Sequence, residues 1–452
     1  MRRIGRHVVW LLVAAAPEAA AQAPDPDAFV AWATKNAHRL ETTEPGHGLH
    51  DLAPVQAVAG TARVGAVGES IHGVREFLGL RHRMVELLVE KIGFTAVAIE
   101  SGLPDSTIVY DYVLGADSTA GMWNLGFTWT MASFGDMREL VDWMRAYNRD
   151  PAHLRKLHFY GVDVAGGNGS WVPAAEYVLA YLDRVEPQYA KVVRARLLPL
   201  LEKFAKDGFT QTNESFSALT LEERNAVAAY VNELADRLEL LRVPYLAVSS
   251  KEDYDWAHRI GQSLRYSSAM VTNCEARNRV NPVWNARDLA MAENVRWIRE
   301  REGRGRGVIV LAHNAHIQTT KSVAAVVAAN STSLGMFLHS MIGGDYRSIG
   351  FAFNQGAMWA EAGTRIELPP AETGSIDWAL AQVGLPLFFV DFRTIPKAGA
   401  VRAWLDRPVK QRIQNMSTEY NEFQSWDGLV FVNTITPSRL AEKPVAPERK
   451  DR

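Results

Sequence analysis

The chain has 452 residues, of which 47% are hydrophobic and 22% charged, and its formal net charge is −2. That is enough for a large core arranged as one big domain or two to three smaller ones, and no Lys/Arg block or basic stripe points to a nucleic-acid partner. The single cysteine, Cys274, excludes an intrachain disulfide and a cysteine-based metal site.

Residues 1–23 read as an export signal. Arg2, Arg3 and Arg6 form a basic start, Val8 to Ala16 an apolar run too short to span a bilayer, and Ala21-Gln22-Ala23 an A-x-A cleavage site. The mature chain is expected to begin near Pro24 and to work in a periplasm or outside the cell. No later window is apolar for long enough to predict a second span.

From residue 24 onward, short β-rich runs alternate with amphipathic helices, the signature of an α/β fold with a central, mostly parallel sheet flanked by helices. Residues 62–67 read as a first buried strand. A helix comes next over 76–91, with Phe77, Leu80, Met84, Leu87 and Leu88 at helical spacing and Gly93 just past its end. Thr95 to Ile99 reads as a second strand and Leu157 to Val162 as a third, closing a first part of the core at residue 171. The stretch 172–302 carries several helical patterns, Leu221 to Leu241 among them, and no convincing strand. It reads as a helical insertion or subdomain forming a cleft wall. The core resumes over 303–435, with strands at Val308 to Ala312, Arg347 to Phe353 and Leu387 to Asp391. The polar tail 436–452, with Pro and Lys, reads as disordered.

The residues just past each strand carry the chemistry. The first strand runs into Gly68-Glu69-Ser70-Ile71-His72-Gly73, the second into Glu100, the third into Asp163, and the fourth into His313-Asn314-Ala315-His316. In a parallel sheet the carboxyl ends of the strands share one edge, and ligands bind in the crevice there. A histidine titrating near neutrality can take a proton from water, and a carboxylate on its other ring nitrogen fixes the tautomer. Glycines 68 and 73 allow a tight turn, and the helix N-terminus after Gly73, Arg81 or Arg287 could hold an oxyanion. His82, His153, His158 and His339 have no comparable context. There is no Gly-x-Ser-x-Gly elbow, His-Glu-x-x-His, Walker A loop or dinucleotide fingerprint. Glu69, His72, Glu100, His313 and His316 are competent metal ligands, so a periplasmic protein that binds a metal or a metallated cofactor, and a metal-dependent hydrolase, stand as alternatives. Arginines in the same pocket argue against a cation.

These residues are recognisable. Val67 to Phe77, Arg81-His82-Arg83, Gly93 to Glu100, Tyr160 to Asp163, Arg287 to Asn294 and Ala312 to His316 resemble the erythromycin esterase family, in family order. The resemblance implies a hydrolase of ester or lactone bonds, with macrolide antibiotics as the best-known substrates. It implies water activated by a histidine, without a catalytic serine or a required metal or other cofactor. By that resemblance His72 is the general base, Glu69 and Glu100 its orienting carboxylates, and His313 a catalytic partner that, with Arg287, would orient substrate or hold the developing oxyanion. Arg81, Arg287, Asp163 and His316 would contact substrate. The stretch Trp129 to Asp136 departs from the family pattern and offers Asp136 as its acidic residue.

Overall fold

The computed structural model describes residues 25–440 apart from 118–120, 130, 207, 273–281, 321–330 and 361–362. The expected export signal and Cys274 lie outside the described residues. Eleven strands are described: β1 (His38–Arg39), β2 (Val64–Val67), β3 (Ala96–Gly102), β4 (His158–Asp163), β5 (Val308–Leu311), β6 (Tyr346–Trp359), β7 (Arg365–Leu368), β8 (Leu387–Asp391), β9 (Pro408–Ile413), β10 (Met416–Asn421) and β11 (Gly428–Ile435). The main sheet runs β1-β8-β11-β6-β2-β5-β3-β4, with β7 added to β6, while β9 and β10 form a separate hairpin. The six strands from β11 to β4 are mutually parallel; β8 runs against β11, and β7 against β6.

Side-chain alternation explains why both faces are covered. Ala96 and Ala98 of β3 face one layer and Val97 and Ile99 the other, as do Val308 and Val310 against Ile309 and Leu311 in β5. One layer is built on helices Arg75–Leu87 and Gly135–Arg149. The other comes from the segment between β4 and β5. Among its described residues all regular structure is helical, including Val172–Val185, Leu221–Leu240, Lys251–Thr272 and Pro282–Glu302. Thr220 and Glu223 cap the second of these reciprocally. Its apolar residues Val178, Leu234 and Leu264 join the same cluster as Ala98 and Val310, so this segment is a layer of the main core. The helix read as 76–91 ends at Leu87 and continues as one wider turn to Ile92, where Gly93 sits at φ +84°.

The tail is a correction. Residues 436–440 are ordered, with Ser438 buried and Val74 bridged to Pro437 and Phe134 to Leu440. The polar side chains that suggested disorder have partners: the Ser438 hydroxyl donates to Asp136 at 2.6 Å and Thr436 Oγ1 to Glu76 at 2.6 Å. Residues 441–452 lie outside the described set.

Candidate active site

β5 lies between β2 and β3, and the register pairs Val67 with Leu311 and Leu311 with Ile99. Just beyond this shared level come Gly68-Glu69 after β2, Ala312-His313 after β5 and Glu100, which is still within β3. That is how Glu69, His313 and Glu100 reach the same crevice from distant parts of the chain.

Glu69 is buried and serves as the hub of the first turn. Its Oε1 lies 2.9 Å from Nδ1 of His72 and 2.7 Å from Nη1 of Arg81. Burial opposes its charge, but the Arg81 guanidinium and the His72 ring bring its carboxyl down to about 2. An ionised Glu69 accepts from Nδ1–H of His72, which leaves Nε2 as the basic nitrogen. Burial works against a charged His72, yet the Glu69 hydrogen bond and the carboxylates of Glu69 and Glu100 outweigh it and raise its pKa above the ordinary 6.5. With 27% of its side chain exposed, His72 reaches solvent, whereas Glu69 and Arg81 lie beneath it.

Beside this lies a buried cluster of charges. Arg287, on the helix that leads back to β5, donates from Nε to both oxygens of Asp163 at 3.0 Å. Its Nη2 donates to Asp163 at 2.6 Å and to Glu100 at 3.0 Å. His316 sits between Asp288 (Nδ1 to Oδ1, 2.7 Å) and Glu100 (Nε2 to Oε1, 3.2 Å). Burial alone would keep this ring neutral, but Asp288 and Glu100 push it up to about 10, so it is a fixed cation at neutral pH. Its Nε2 also approaches Nη1 of Arg287 at 3.1 Å, a like-charge contact held by the three carboxylates around it. Glu100 is in turn held well below the usual carboxylate range despite its burial. Its second oxygen accepts the His313 backbone N–H at 2.8 Å.

Three expected oxyanion holders are otherwise engaged. Arg287 is buried and directs Nε and Nη2 at carboxylates, which makes it a clamp between β3 and β4. The helix N-terminus after Gly73 gives its Arg75 N–H to the carbonyl of Thr436 at 2.9 Å. His313 accepts the Ala315 N–H on Nδ1 at 3.1 Å and donates from Nε2 to the carbonyl of Ser70 at 3.0 Å. Burial and the neighbouring His72 charge hold it down at about 3, so it stays neutral. Its ring stands 5.0 Å from that of His72 and fixes the turn carrying Glu69 and His72. Asp136 is not in this cleft; it anchors Ser438 and Arg439. Among the described residues, no three His, Cys, Asp or Glu side chains are grouped to hold a metal ion.

The erythromycin esterase family model matches residues 89–435. The chain belongs to the erythromycin esterase family. It is 24% identical over 384 residues to erythromycin esterase type II of Escherichia coli, covering 82% of this chain and 90% of that one. In fold it is similar to a Bacillus cereus protein of known crystal structure, with TM-score 0.79 and 23% identity, covering 92% of this chain and 100% of the other. It is also similar to an erythromycin esterase histidine mutant solved in its open conformation, with TM-score 0.73, 17% identity and coverage of 89% and 98%.

This erythromycin esterase family hydrolase uses residues that its strand-end pattern does not reveal. Trp129 holds a positive φ of 58°, unusual for a bulky side chain, and donates from Nε1 to Asp163 at 2.7 Å. Its ring lies 4.7 Å from the Arg287 guanidinium, and that of Trp284 5.4 Å. Gln414, at φ +53° in the turn between β9 and β10, donates its N–H to the same Ser70 carbonyl at 2.8 Å. Trp129 falls in a stretch where the sequence departs from the family pattern, and Asp288 adjoins Arg287 in a motif. Gln414 carries no local signal.

Proposed function

We propose that this hydrolase opens an ester or lactone with water activated by His72, and that the substrate is a macrolide antibiotic ring. The observation that carries this reading is the state of the His72 ring. Nδ1 is held by an ionised Glu69, Nε2 meets no donor among the described residues, and the side chain is partly exposed, while His313 and His316 are tied down on both nitrogens. His72 Nε2 takes a proton from water, the hydroxide oxygen bonds to the acyl carbon, and the tetrahedral intermediate expels the alcohol oxygen. Glu69 keeps the tautomer and stabilises the imidazolium. His313, Arg287 and Gln414 act by positioning the turns. The two arginines offset the charge of the carboxylates that a metal would need, which favours activated water over the metal-binding and metal-dependent alternatives. The macrolide assignment rests on family membership, and export to a periplasm or beyond on residues 1–23.

Mass spectrometry of macrolides of several ring sizes after incubation with the protein tests the reading. A gain of one water with ring opening, persisting in EDTA and absent in His72→Ala, is expected. No mass change across the panel removes the macrolide as substrate. Dependence on an added divalent ion removes the metal-free mechanism.

A further inference from the structure

β6 runs on past the end of β2, and one side chain fills the gap. The last β2 residue, Val67, is in register with Ile349, and Gly68 gives its N–H to the Ile349 carbonyl at 2.9 Å. Alternate residues of a parallel strand turn their backbone groups to the same neighbour. The N–H and C=O of Phe351 therefore point to the β2 side, beyond where β2 stops. Buried there without partners, both groups would be costly. Asn314 takes both. Its Oδ1 accepts the Phe351 N–H at 3.2 Å, and its Nδ2 donates to the Phe351 carbonyl at 2.7 Å. A side-chain amide carries the donor and the acceptor together, and Asn314 is buried. The backbone N–H of the same residue donates to the Glu69 carbonyl at 2.8 Å. The fit leaves no slack at Gly68, where a Cβ would fall 2.2 Å from Asn314 Oδ1.

We propose that Asn314 is a positioning residue for the base: its side chain is anchored on β6, and its main chain holds the Glu69 turn where that carboxylate meets Nδ1 of His72. The proposal rests on the reading of His72 as the base. Glu69 sits between two other holds. Gly68 before it is bonded to β6, and the Ser70 carbonyl after it takes the His313 and Gln414 donors. Asn314 supplies the bond to Glu69 itself. Because it follows His313 directly, one short turn after β5 pins both Glu69 and Ser70. The Glu69 carboxylate depends on this placement. Its Oε1 carries the contacts to His72 and Arg81, while its buried Oε2 has no hydrogen-bond partner among the described residues. The main chain at Glu69 therefore decides where Oε1 sits. Releasing the Asn314 amide from β6 frees the turn, and a misplacement of about 1 Å costs on the order of 10²-fold in rate.

The test reads His72 and turnover separately in Asn314→Ala. Glu69 and Glu100 raise the His72 ring and Arg81 lowers it, with the neutral His313 ring 5.0 Å away. A looser Glu69 contact should therefore lower the His72 pKa. An NMR titration of isotope-labelled histidines, with the His72 signal assigned by its loss in His72→Ala, measures this without substrate. A drop toward 6.5 is expected. On a p-nitrophenyl ester kcat should fall by about 10²-fold with KM nearly unchanged, at a temperature where the variant is folded. Gly68→Ala, which pushes on Asn314 Oδ1, should give the same two changes, and the two substitutions together should cost less than the product of their separate losses. Asn314→Asp keeps the acceptor for the Phe351 N–H and should show smaller changes in the same directions; it replaces Asn314→Ala if that variant does not fold. A folded variant with lower stability but an unmoved His72 pKa and kcat marks a structural role and overturns the proposal, as does a rise in KM alone. If the wild type cleaves no ester, the hydrolase reading falls and the proposal with it. A wild type that cleaves the ester, beside an unmoved His72 signal in the variant, sinks the proposal alone.

Discussion

Nδ1 of His72 lies 2.9 Å from Oε1 of Glu69, and the same oxygen meets Arg81 at 2.7 Å. One buried carboxylate thus sets the tautomer of the ring, while the arginine behind it keeps that carboxylate ionised. The histidine base works in its neutral form, and Glu69 raises its pKa above 6.5. Turnover should therefore rise with pH along a limb set above 6.5. Glu69→Gln removes the hydrogen bond to a carboxylate and the charge that together raise the ring. Its limb should move to lower pH and its plateau should fall. A pH profile of kcat for both proteins checks this, and an unmoved limb in Glu69→Gln would show that the pair does not control the base.

Arg287 has a different character. It joins Asp163 on β4 to Glu100 on β3 through Nε and Nη2 and is stacked near Trp129 and Trp284. Removing one partner of such a buried network leaves uncompensated charge, which costs about 3–5 kcal/mol. Lysine cannot reproduce the two-armed geometry. Arg287→Lys should thus unfold at clearly lower denaturant concentration, whereas His72→Ala should lose activity with little change in its midpoint. Chemical denaturation of the two variants side by side separates the clamp from the base; equal midpoints would deny Arg287 its clamping role.

Much of the cleft is legible because its residues sit at or just past the carboxyl ends of strands that can be read locally. Glu69, Glu100, Asp163 and His313 each come directly after a short run of small or β-branched residues, and parallel pairing puts such ends together. What each residue does is less legible, because it depends on where the hydrogen bonds go. His313 looks like a second catalytic histidine until its nitrogens are seen to hold Ser70 and Ala315. Arg287 looks like an anion binder until its carboxylates are located. The short edge strands β1 and β7 and the β9–β10 hairpin do not stand out in the sequence. The tip of that hairpin reaches the site only through Gln414, a contact across more than three hundred residues set by tertiary packing. The tail misleads for a related reason: composition reports low hydrophobicity, but Ser438 and Thr436 are held by acceptors on distant helices.

His316 gives a stability prediction. Its folded pKa is raised from 6.5 to about 10 by Asp288 and Glu100 against the cost of burial. A group raised on folding contributes stability that is fully present below the unfolded value and lost as pH rises through the folded one. Stability should therefore decline between about pH 6.5 and pH 10 as this ring loses its proton. His316→Gln should be less stable near neutrality and show a flatter decline over the same window. Melting temperatures taken across that window measure it; parallel curves for the two proteins would mean that His316 is not a buried cation.

The segment after β11 should matter for activity as well as stability. Ser438 donates its N–H to the carbonyl of Gly73 at 2.8 Å, one residue from His72, and accepts the indole N–H of Trp359 on its own carbonyl at 2.7 Å. Thr436 takes the Arg75 N–H and Arg439 the Gly135 N–H on their carbonyls, so one strap caps two helices and ties them to the His72 turn. A chain ending at Ile435 keeps every strand of the sheet and should fold, but it releases Gly73 and both helix ends. Loss of a cap alone costs about 0.5–2 kcal/mol, so a lower melting temperature is expected. Because Gly73 adjoins the base, kcat should fall further than the lost stability explains at a temperature where the shortened chain is fully folded. Ser438→Ala isolates the anchor: it removes the hydroxyl that reaches Asp136 at 2.6 Å while leaving the backbone bond to Gly73. It should destabilise the protein by roughly 1.5–3 kcal/mol, the range for a hydrogen bond to a charged group, with kcat close to wild type. If truncation lowers the melting temperature and leaves kcat untouched, the strap supports the fold without positioning His72.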